Sequence, residues 1–394
     1  MKTTLNLFAA LFVLPFLFIM FSCAGEDAGG GNNIPVIRMD VSSAEKEYDI
    51  TPLMDTSDIK IVPLDTNQDC LIAEVSRIFV LNGHIYVFDK QTKGVYIFDM
   101  SGKYVNKVHS IGAGPGEYTD ISDVFIDENN IFITDYYINR ILVYGLDGHF
   151  VRDFKTEGFF SNMIFTSGDR LFSVNVSSKS NDGKTYQLFS SDKYGRNVEK
   201  YIPYNRDDIY TSVSGLYCYS ASAGEVLFLT QTDDTVYRIK NGKVAPAYKL
   251  DFGDMHLPYE LKSKNPLEMI RGGHMGRYVV STDYVSSTHD LLFLGFHIGV
   301  DFYTAIYDKT SGTTTLAGKI FTKIPFNMTL RFIQDGCVVL SYNAFTINQS
   351  KAAILDKIND GRVFSGNFSS DLKNAVENIN PHDNPVVLIC KLKR

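Results

Sequence analysis

The chain reads IYVFDKQTKGVYIFDMSGKYV from Ile85 to Val105 and IFITDYYINRILVYGLDGHFV from Ile131 to Val151, and the two stretches align without a gap at an offset of 46 residues, 131 against 85. Ile85 falls on Ile131, Asp89 on Asp135, Val95 on Ile141, Phe98 on Tyr144, Gly102 on Gly148 and Val105 on Val151. Self-similarity at a fixed period marks a repeat architecture, in which each copy buries its apolar faces only against its neighbours. Each copy holds short runs of β-branched and aromatic residues, broken at Asn82-Gly83, Ser101-Gly102 and Asp147-Gly148. Such dipeptides supply the positive φ that tight hairpins demand. The unit is therefore a four-stranded meander, with strands in the first copy expected at 75–81, 84–89, 95–100 and 104–109.

Weaker copies follow. Leu171 to Val176 with Gln187 to Tyr201 makes a third, lengthened by the polar loop SSKSNDGKT, and Glu225 to Thr230 with Thr235 to Asp251 makes a fourth. A fifth runs from Leu291 to Gly312. The sixth is split: Leu330 to Tyr342 supplies two strands and Pro385 to Leu392 a third, which leaves one vacancy. Ile59 to Leu64, IKIVPL, is a lone strand without a unit of its own, and placing it outermost beside Pro385 to Leu392 closes a ring. Radially arranged meanders of this period make a β-propeller, whose blades leave only short protected edges. The fold class expected is all-β: a six-bladed β-propeller with four-stranded blades, closed by an N-terminal strand in the last blade. A β-sandwich would leave the ungapped 46-residue offset unexplained.

Composition agrees. The 394 residues include 28 Phe, 23 Tyr and 30 Gly but no Trp, a bias toward strands and tight turns that excludes an all-helical fold. A net charge of -7 argues against non-specific nucleic-acid binding.

The first residues state an address. After Lys2 the chain runs apolar from Leu5 to Phe21, interrupted only by Asn6 and Pro15, which is the pattern of a signal peptide over residues 1–22. No basic stop-transfer cluster follows. Met20, Phe21 and Ser22 before Cys23 resemble the lipobox of bacterial lipoproteins, and that resemblance implies lipidation of Cys23 and a membrane attachment through it. Residues 23–34, rich in glycine and small polar residues, are expected to be a flexible tether, and 35–394 the propeller. Glu26 and Asp27 resemble the export signal of surface lipoproteins in Bacteroidota, so the protein is expected in the cell envelope, at the outer membrane, on its periplasmic or outer side.

The arrangement VFDKQTKGVYIFDMSGKYV followed by IGAGPGEYTDISDVFID, together with the ending DNPVVLICKLKR from Asp383, resembles the six-bladed β-propeller lipoproteins of gut Bacteroidota, distant relatives of the NHL-repeat propellers. The resemblance covers residues 35 to 394 and implies the fold but no reaction.

Ligands of propellers usually bind where the loops between blades gather with those between second and third strands. Between the first two blades lies IGAGPGEYTDISD, residues 111–123, in which Glu117, Tyr118, Asp120 and Asp123 supply acceptors and one ring. Two readings stand: a polar rim that binds a ligand or cation through carboxylate oxygens, or a Gly-Pro-Gly turn between blades. No phosphate loop is present, because neither a helix nor Lys-Ser or Lys-Thr follows the glycines. Tyr136, Tyr137 and Arg140 in the second blade would suit stacking on a sugar or aromatic ligand. Asp89 and Asp135 cap hairpin loops, since the repeat reproduces them. Two insertions, 254–277 and 350–384, with short helices at 258–262 and 371–379, are expected to decorate the same face.

The histidines show no close metal spacing, although His256, His274, His297 and His382 could converge from separate blades. Cys70, Cys218, Cys337 and Cys390 match no zinc or redox motif; Cys337 and Cys390, inside apolar runs, read as buried unpaired thiols, with a disulfide between strands of one sheet as the alternative in an oxidising compartment. The sequence calls for no cofactor and carries no Gly-x-Ser-x-Gly elbow. The function expected is a lipid-anchored exported propeller that binds a glycan, peptide or partner protein on its decorated face. The alternative is a metal-dependent lyase or hydrolase at the channel mouth.

Overall fold

The computed structural model of the chain describes residues 34–156, 163–174, 184–204, 219–222, 224–230, 234–264, 266–364 and 366–393. The expected signal peptide, Cys23, the tether as far as Asn33, Cys218 and most of the SSKSNDGKT loop lie outside them.

Six antiparallel sheets form the six blades of a β-propeller. Blade one comprises Arg77–Leu81, His84–Asp89, Gly94–Asp99 and Tyr104–Val108, and blade two Asp123–Ile126, Asn130–Asp135, Arg140–Gly145 and Phe150–Lys155. The 46-residue offset therefore reproduces whole strands: 77 and 123, 84 and 130, 94 and 140, 104 and 150. Blade three runs from Met163–Ser167 to Glu199–Tyr204, blade four from Tyr219–Ser222 to Lys243–Asp251, and blade five from Val279–Ser287 to Thr314–Ala317. The first strands of blades two and three, and of blades four and five, pack side by side.

The middle strands are continuous hydrophobic runs because both faces of every blade are covered. Successive residues serve different neighbours: Ile85 and Val87 pack toward blade six, whereas Tyr86 and Phe88 pack toward blade two. The core is accordingly a set of apolar layers between blades rather than one central mass.

Ring closure follows the strand count. Blade six is ordered Ile333–Gln334, Cys337–Tyr342, Val386–Leu392 and Met54–Pro63, with Val386 opposite Pro63 and Cys390 opposite Ile59. The closing strand is only the end of a longer belt. Val36–Arg38 adds a fifth, parallel strand to blade four, opposite Lys249–Asp251. Glu45 then bridges Ala317 on blade five, and Tyr48–Asp49 pairs with Ile320–Phe321 before the chain reaches blade six. Ile37, Met39 and Ile50 bury their side chains along this path. The belt was not legible as strands because its pieces are two or three residues long, too short for an alternating pattern.

Both insertions are present, with more helix than expected. The first holds short 3-10 turns at Gly253–Met255 and Tyr259–Leu261 and helix α1 (Pro266–Arg271). The second begins earlier, at Asn343, and holds α2 (Ala344–Gln349), α3 (Lys351–Asn359) and α4 (Asn367–Asn378). It does not simply decorate a face. Phe368, Leu372 and Val376 of α4, with Ile347 and Ile354, join one core with Tyr284 and Phe293 of blade five and Ile59 and Leu388 of blade six. This insertion is a wedge that fills the gap between two blades.

Cys70, Cys337 and Cys390 are unpaired. Cys390 stands opposite Val338 rather than Cys337, so the two thiols of blade six point to opposite faces of the sheet.

Candidate functional site

The upper end of the channel, where the first strand of each blade begins, carries the residues expected to bind. There the repeated aspartates do architectural work. Asp89 is fully buried and accepts from the backbone N–H of Ala73 at 2.6 Å, Gln91 at 2.8 Å and Thr92 at 3.1 Å. Asp135 accepts from the N–H of Thr119, Asp120, Tyr137 and Ile138 and from the Thr119 hydroxyl. Each carboxylate thus ties the loop between its second and third strands to the loop entering its own blade. Ser76 and Ser122, also 46 apart, reinforce the link by accepting from Lys90 and Tyr136.

The GAGPGEY loop is closed on itself. Tyr118 is fully buried; its hydroxyl donates to the Lys93 carbonyl at 2.8 Å and accepts from the Ser110 N–H, and burial pushes its pKa up to about 12. The Glu117 carboxylate folds back to accept from the Gly114 N–H at 2.8 Å. A Cβ on Gly112 would lie 2.1 Å from that carboxylate and would displace it from this position. Tyr144 donates to the Gly116 carbonyl at 2.7 Å. The turn reading of this loop describes these contacts.

Asp123 is buried too. Arg77 Nη1 donates to its two oxygens at 2.9 and 3.1 Å and to the Val124 carbonyl at 2.9 Å, while the Ile164 N–H donates to Asp123 Oδ2. Positions 77 and 123 are equivalent in the repeat, so opposite charges at one repeat position lock the axial strands of blades one to three. Burial pushes the Asp123 carboxyl up, and the facing guanidinium works against that rise. Tyr118 and Asp123 therefore present no surface to a ligand, because their polar atoms satisfy buried backbone and charge.

The other five candidates reach solvent in part or fully. Asp120 faces Lys93 at 3.4 Å, and Arg140 pairs with Asp153 at 3.0 Å. Tyr136 and Tyr137 are exposed, their rings edge to face at 6.0 Å. Glu117, like Asp120 and Arg140, is half-buried.

The histidines do not converge. His256 faces Asp234 and Asp251, His297 pairs with Asp283 at 2.9 Å, and no group of three His, Cys, Asp or Glu able to hold a metal ion occurs among the described residues.

The lower end is different. A cavity of about 470 Å³ opens between the hairpins that join first to second strands and reaches up the channel to Arg77. Five of the six blades line it: Phe79 and Leu81 of blade one, Phe125 and Asp127 to Asn129 of blade two, Thr166 to Gly168 of blade three, Gly224 to Val226 of blade four, and Arg331 to Asp335 of blade six. Three phenylalanines form an apolar wall, and acidic side chains ring the mouth. Asp127 holds its turn by accepting from the N–H of Asn129 and Asn130, Glu225 pairs with Arg238, and Glu128 and Asp335 are exposed. Arg331 is held above Phe302 and Tyr284 and lies 3.6 Å from Asp283, across the seam between blades five and six. The sequence reading missed this end. Its signal is the acidic turns DEN at 127–129 and QDG at 334–336, whose composition is that of any hairpin turn.

The match to a family model runs over residues 36–391, and its description is a domain of unknown function, DUF4934. A search of the curated proteins finds no match. Among solved structures, an exported protein of Bacteroides fragilis NCTC 9343 aligns with a TM-score of 0.66 at 18% identity, covering 91% of this chain and all (100%) of that one. A DUF4221 family member from Bacteroides vulgatus aligns at 0.47 and 13% identity, covering 85% of this chain and 96% of its own. No helix among the described residues is long and apolar enough to cross a membrane. With the fold closed as a ring of six blades and the family match spanning nearly all of it, the chain belongs to the DUF4934 family and folds as a six-bladed β-propeller.

Proposed function

We propose that the protein is exported, carries a lipid on Cys23 and binds a ligand in its central channel from the lower mouth. The observation that carries the binding site is the cavity of about 470 Å³ walled by Phe79, Phe125 and Phe332 and rimmed by Glu128 and Asp335. Its size and its wall of phenylalanines match the general character of small-ligand sites, and polar side chains such as Asn129, Thr166, Asn241 and Gln334 complete the lining. The acidic rim favours a ligand with an aromatic or aliphatic body and a cationic group, such as an amine or the N-terminal end of a peptide. Export is supported by the signal-peptide pattern before Cys23 and by the structural neighbour that is itself an exported protein.

The test is a thermal-shift screen of aromatic amines, short peptides and oligosaccharides against the full chain. A ligand at a hundredfold excess over its Kd raises stability by about 2.7 kcal/mol. Binding should weaken roughly tenfold in Glu128→Gln/Asp335→Asn, a loss of about 1.4 kcal/mol, and be unchanged in Tyr136→Ala/Tyr137→Ala. The reverse pattern would favour a second reading, in which the exposed Tyr136 and Tyr137 pair stacks on a glycan at the upper end with Arg140, Glu117 and Asp120 nearby. The metal-dependent lyase or hydrolase gains no support from the described histidines and carboxylates.

A further inference from the structure

We infer that the corner of the propeller between blades four and five is a membrane-contact surface that lies on the lipid bilayer. The proposal rests on the reading that Cys23 carries a lipid.

The corner gathers exposed apolar side chains. In α1, Met269 is buried and holds the helix down, whereas Leu267 and Ile270, three apart and so on one face, are 53% and 58% exposed. Tyr259 of the same insertion is 67% exposed. Val300, at the upper tip of blade five, is 88% exposed, and its loop packs onto the end of the insertion, where a Cβ on Gly299 would come within 2.7 Å of the Gly276 nitrogen. Large apolar groups grouped this way on a soluble surface mark an interaction site.

The place where the chain enters argues for a bilayer as the occupant. Val36–Arg38 pairs with Lys249–Asp251, the residues that lead directly into the insertion, and Ile34 and Val36 are themselves exposed. Eleven steps of chain separate Ile34 from Cys23 and span at most about 40 Å. A lipid on Cys23 therefore lies within that reach of Ile34, from which the parallel strand Val36–Arg38 runs toward the insertion. Charge is balanced there: Lys262, Lys264, Arg271 and Arg277 stand in the insertion with Asp254, Glu260 and Glu268, and exposed Asp301 follows Val300, in a chain of net charge -7. Long basic side chains beside tyrosine and leucine suit the headgroup boundary. Seated on this upper corner, the ring points the lower mouth of its channel away from the lipid.

The chain has no tryptophan, so one introduced residue reports alone. Full-length protein carrying Ile270→Trp, and separately Tyr137→Trp on the opposite blade as control, is reconstituted in vesicles of phosphatidylethanolamine and phosphatidylglycerol with brominated acyl chains. Emission from position 270 should shift to the blue and be quenched roughly threefold more than from position 137, and Leu267→Ser/Val300→Ser in the 270 reporter should abolish the difference. Equal quenching at the two positions, or none at 270, overturns the contact. The intact mass of the mature protein reports the lipid on Cys23 separately, so loss of the anchor reading is distinguishable from loss of the patch.

Discussion

At the upper end of the channel the carboxylates of Asp89 and Asp135 are buried and receive three and five hydrogen bonds, whereas at the lower end those of Glu128 and Asp335 stand in solvent beside a cavity. In sequence the two ends look alike: acidic residues next to glycine, asparagine and aromatics. What separates them is backbone demand. Upper loops cross from blade to blade and bury N–H groups that need acceptors, while the lower hairpins are short and satisfy their own N–H groups within the turn. Asp89 and Asp135 above are recruited by the fold, as Asp127 is by its own turn below, whereas Glu128 and Asp335 are left for solvent or a ligand.

The largest expected effect breaks this contrast if it fails. Asp135→Ala should cost about 3–5 kcal/mol in urea unfolding and Asp89→Ala somewhat less, because backbone donors are left buried without acceptors. Glu128→Ala and Asp335→Asn should stay within about 0.5 kcal/mol of the parent. Comparable losses at both ends would erase the distinction between architectural and available carboxylates.

The Arg77–Asp123 pair sharpens it next. Asp123→Asn strands a buried guanidinium and should destabilise by about 3 kcal/mol or more, whereas Arg77→Met/Asp123→Leu should recover much of that loss. A double variant as unstable as the single one would mean that the Ile164 and Val124 backbone contacts, rather than charge pairing, carry the lock.

Truncation addresses the belt. Deleting residues 23–66 removes the closing strand and should cost far more stability than deleting 23–50. The shorter cut also has a clear cost, because it strips Ile37, Met39 and Ile50 from blades four to six, at about 2–4 kcal/mol for each such apolar side chain. If the two truncations melt alike, the strand Met54–Pro63 is not what closes the ring.

The smallest effect is alkaline. Tyr118 titrates near 12 in the fold against 10.0 for an unburied tyrosine, so its neutral form is favoured by folding. Its contribution, on the order of 2 kcal/mol, is fully present below pH 10 and is lost as pH rises through about 12. Tyr118→Phe should flatten that part of the stability profile, and an unchanged slope would place the alkaline loss on other buried tyrosines such as Tyr284.

Much of the ring was legible because its signals are local and repeated. The pair of 21-residue stretches at 85 and 131 fixed strand boundaries in two blades, and the count of three strands at the C-terminus located the fourth at Ile59 to Leu64. The wedge formed by α2 to α4 was read as surface decoration, since the amphipathic spacing of Phe368, Leu372 and Val376 shows an apolar face but not what covers it. The site was less legible still. Tyr118 and Asp123 have the residue types of a binding rim, yet whether a polar atom faces a ligand or a buried N–H depends on contacts with residues as distant in the chain as Lys93, Arg77 and Ile164. The phenylalanines of the lower cavity sit in ordinary strand patterns and meet only when the ring closes.

The central claim is that ligand enters from the lower mouth. Hydrogen exchange of the full chain, with and without a ligand found by thermal shift, tests it at both ends in one experiment. Exchange should slow at the hairpins around Asp127 to Asn130 and Asp335 to Gly336, with the loops at 112–120 and 136–139 unchanged. Protection confined to those upper loops would contradict it.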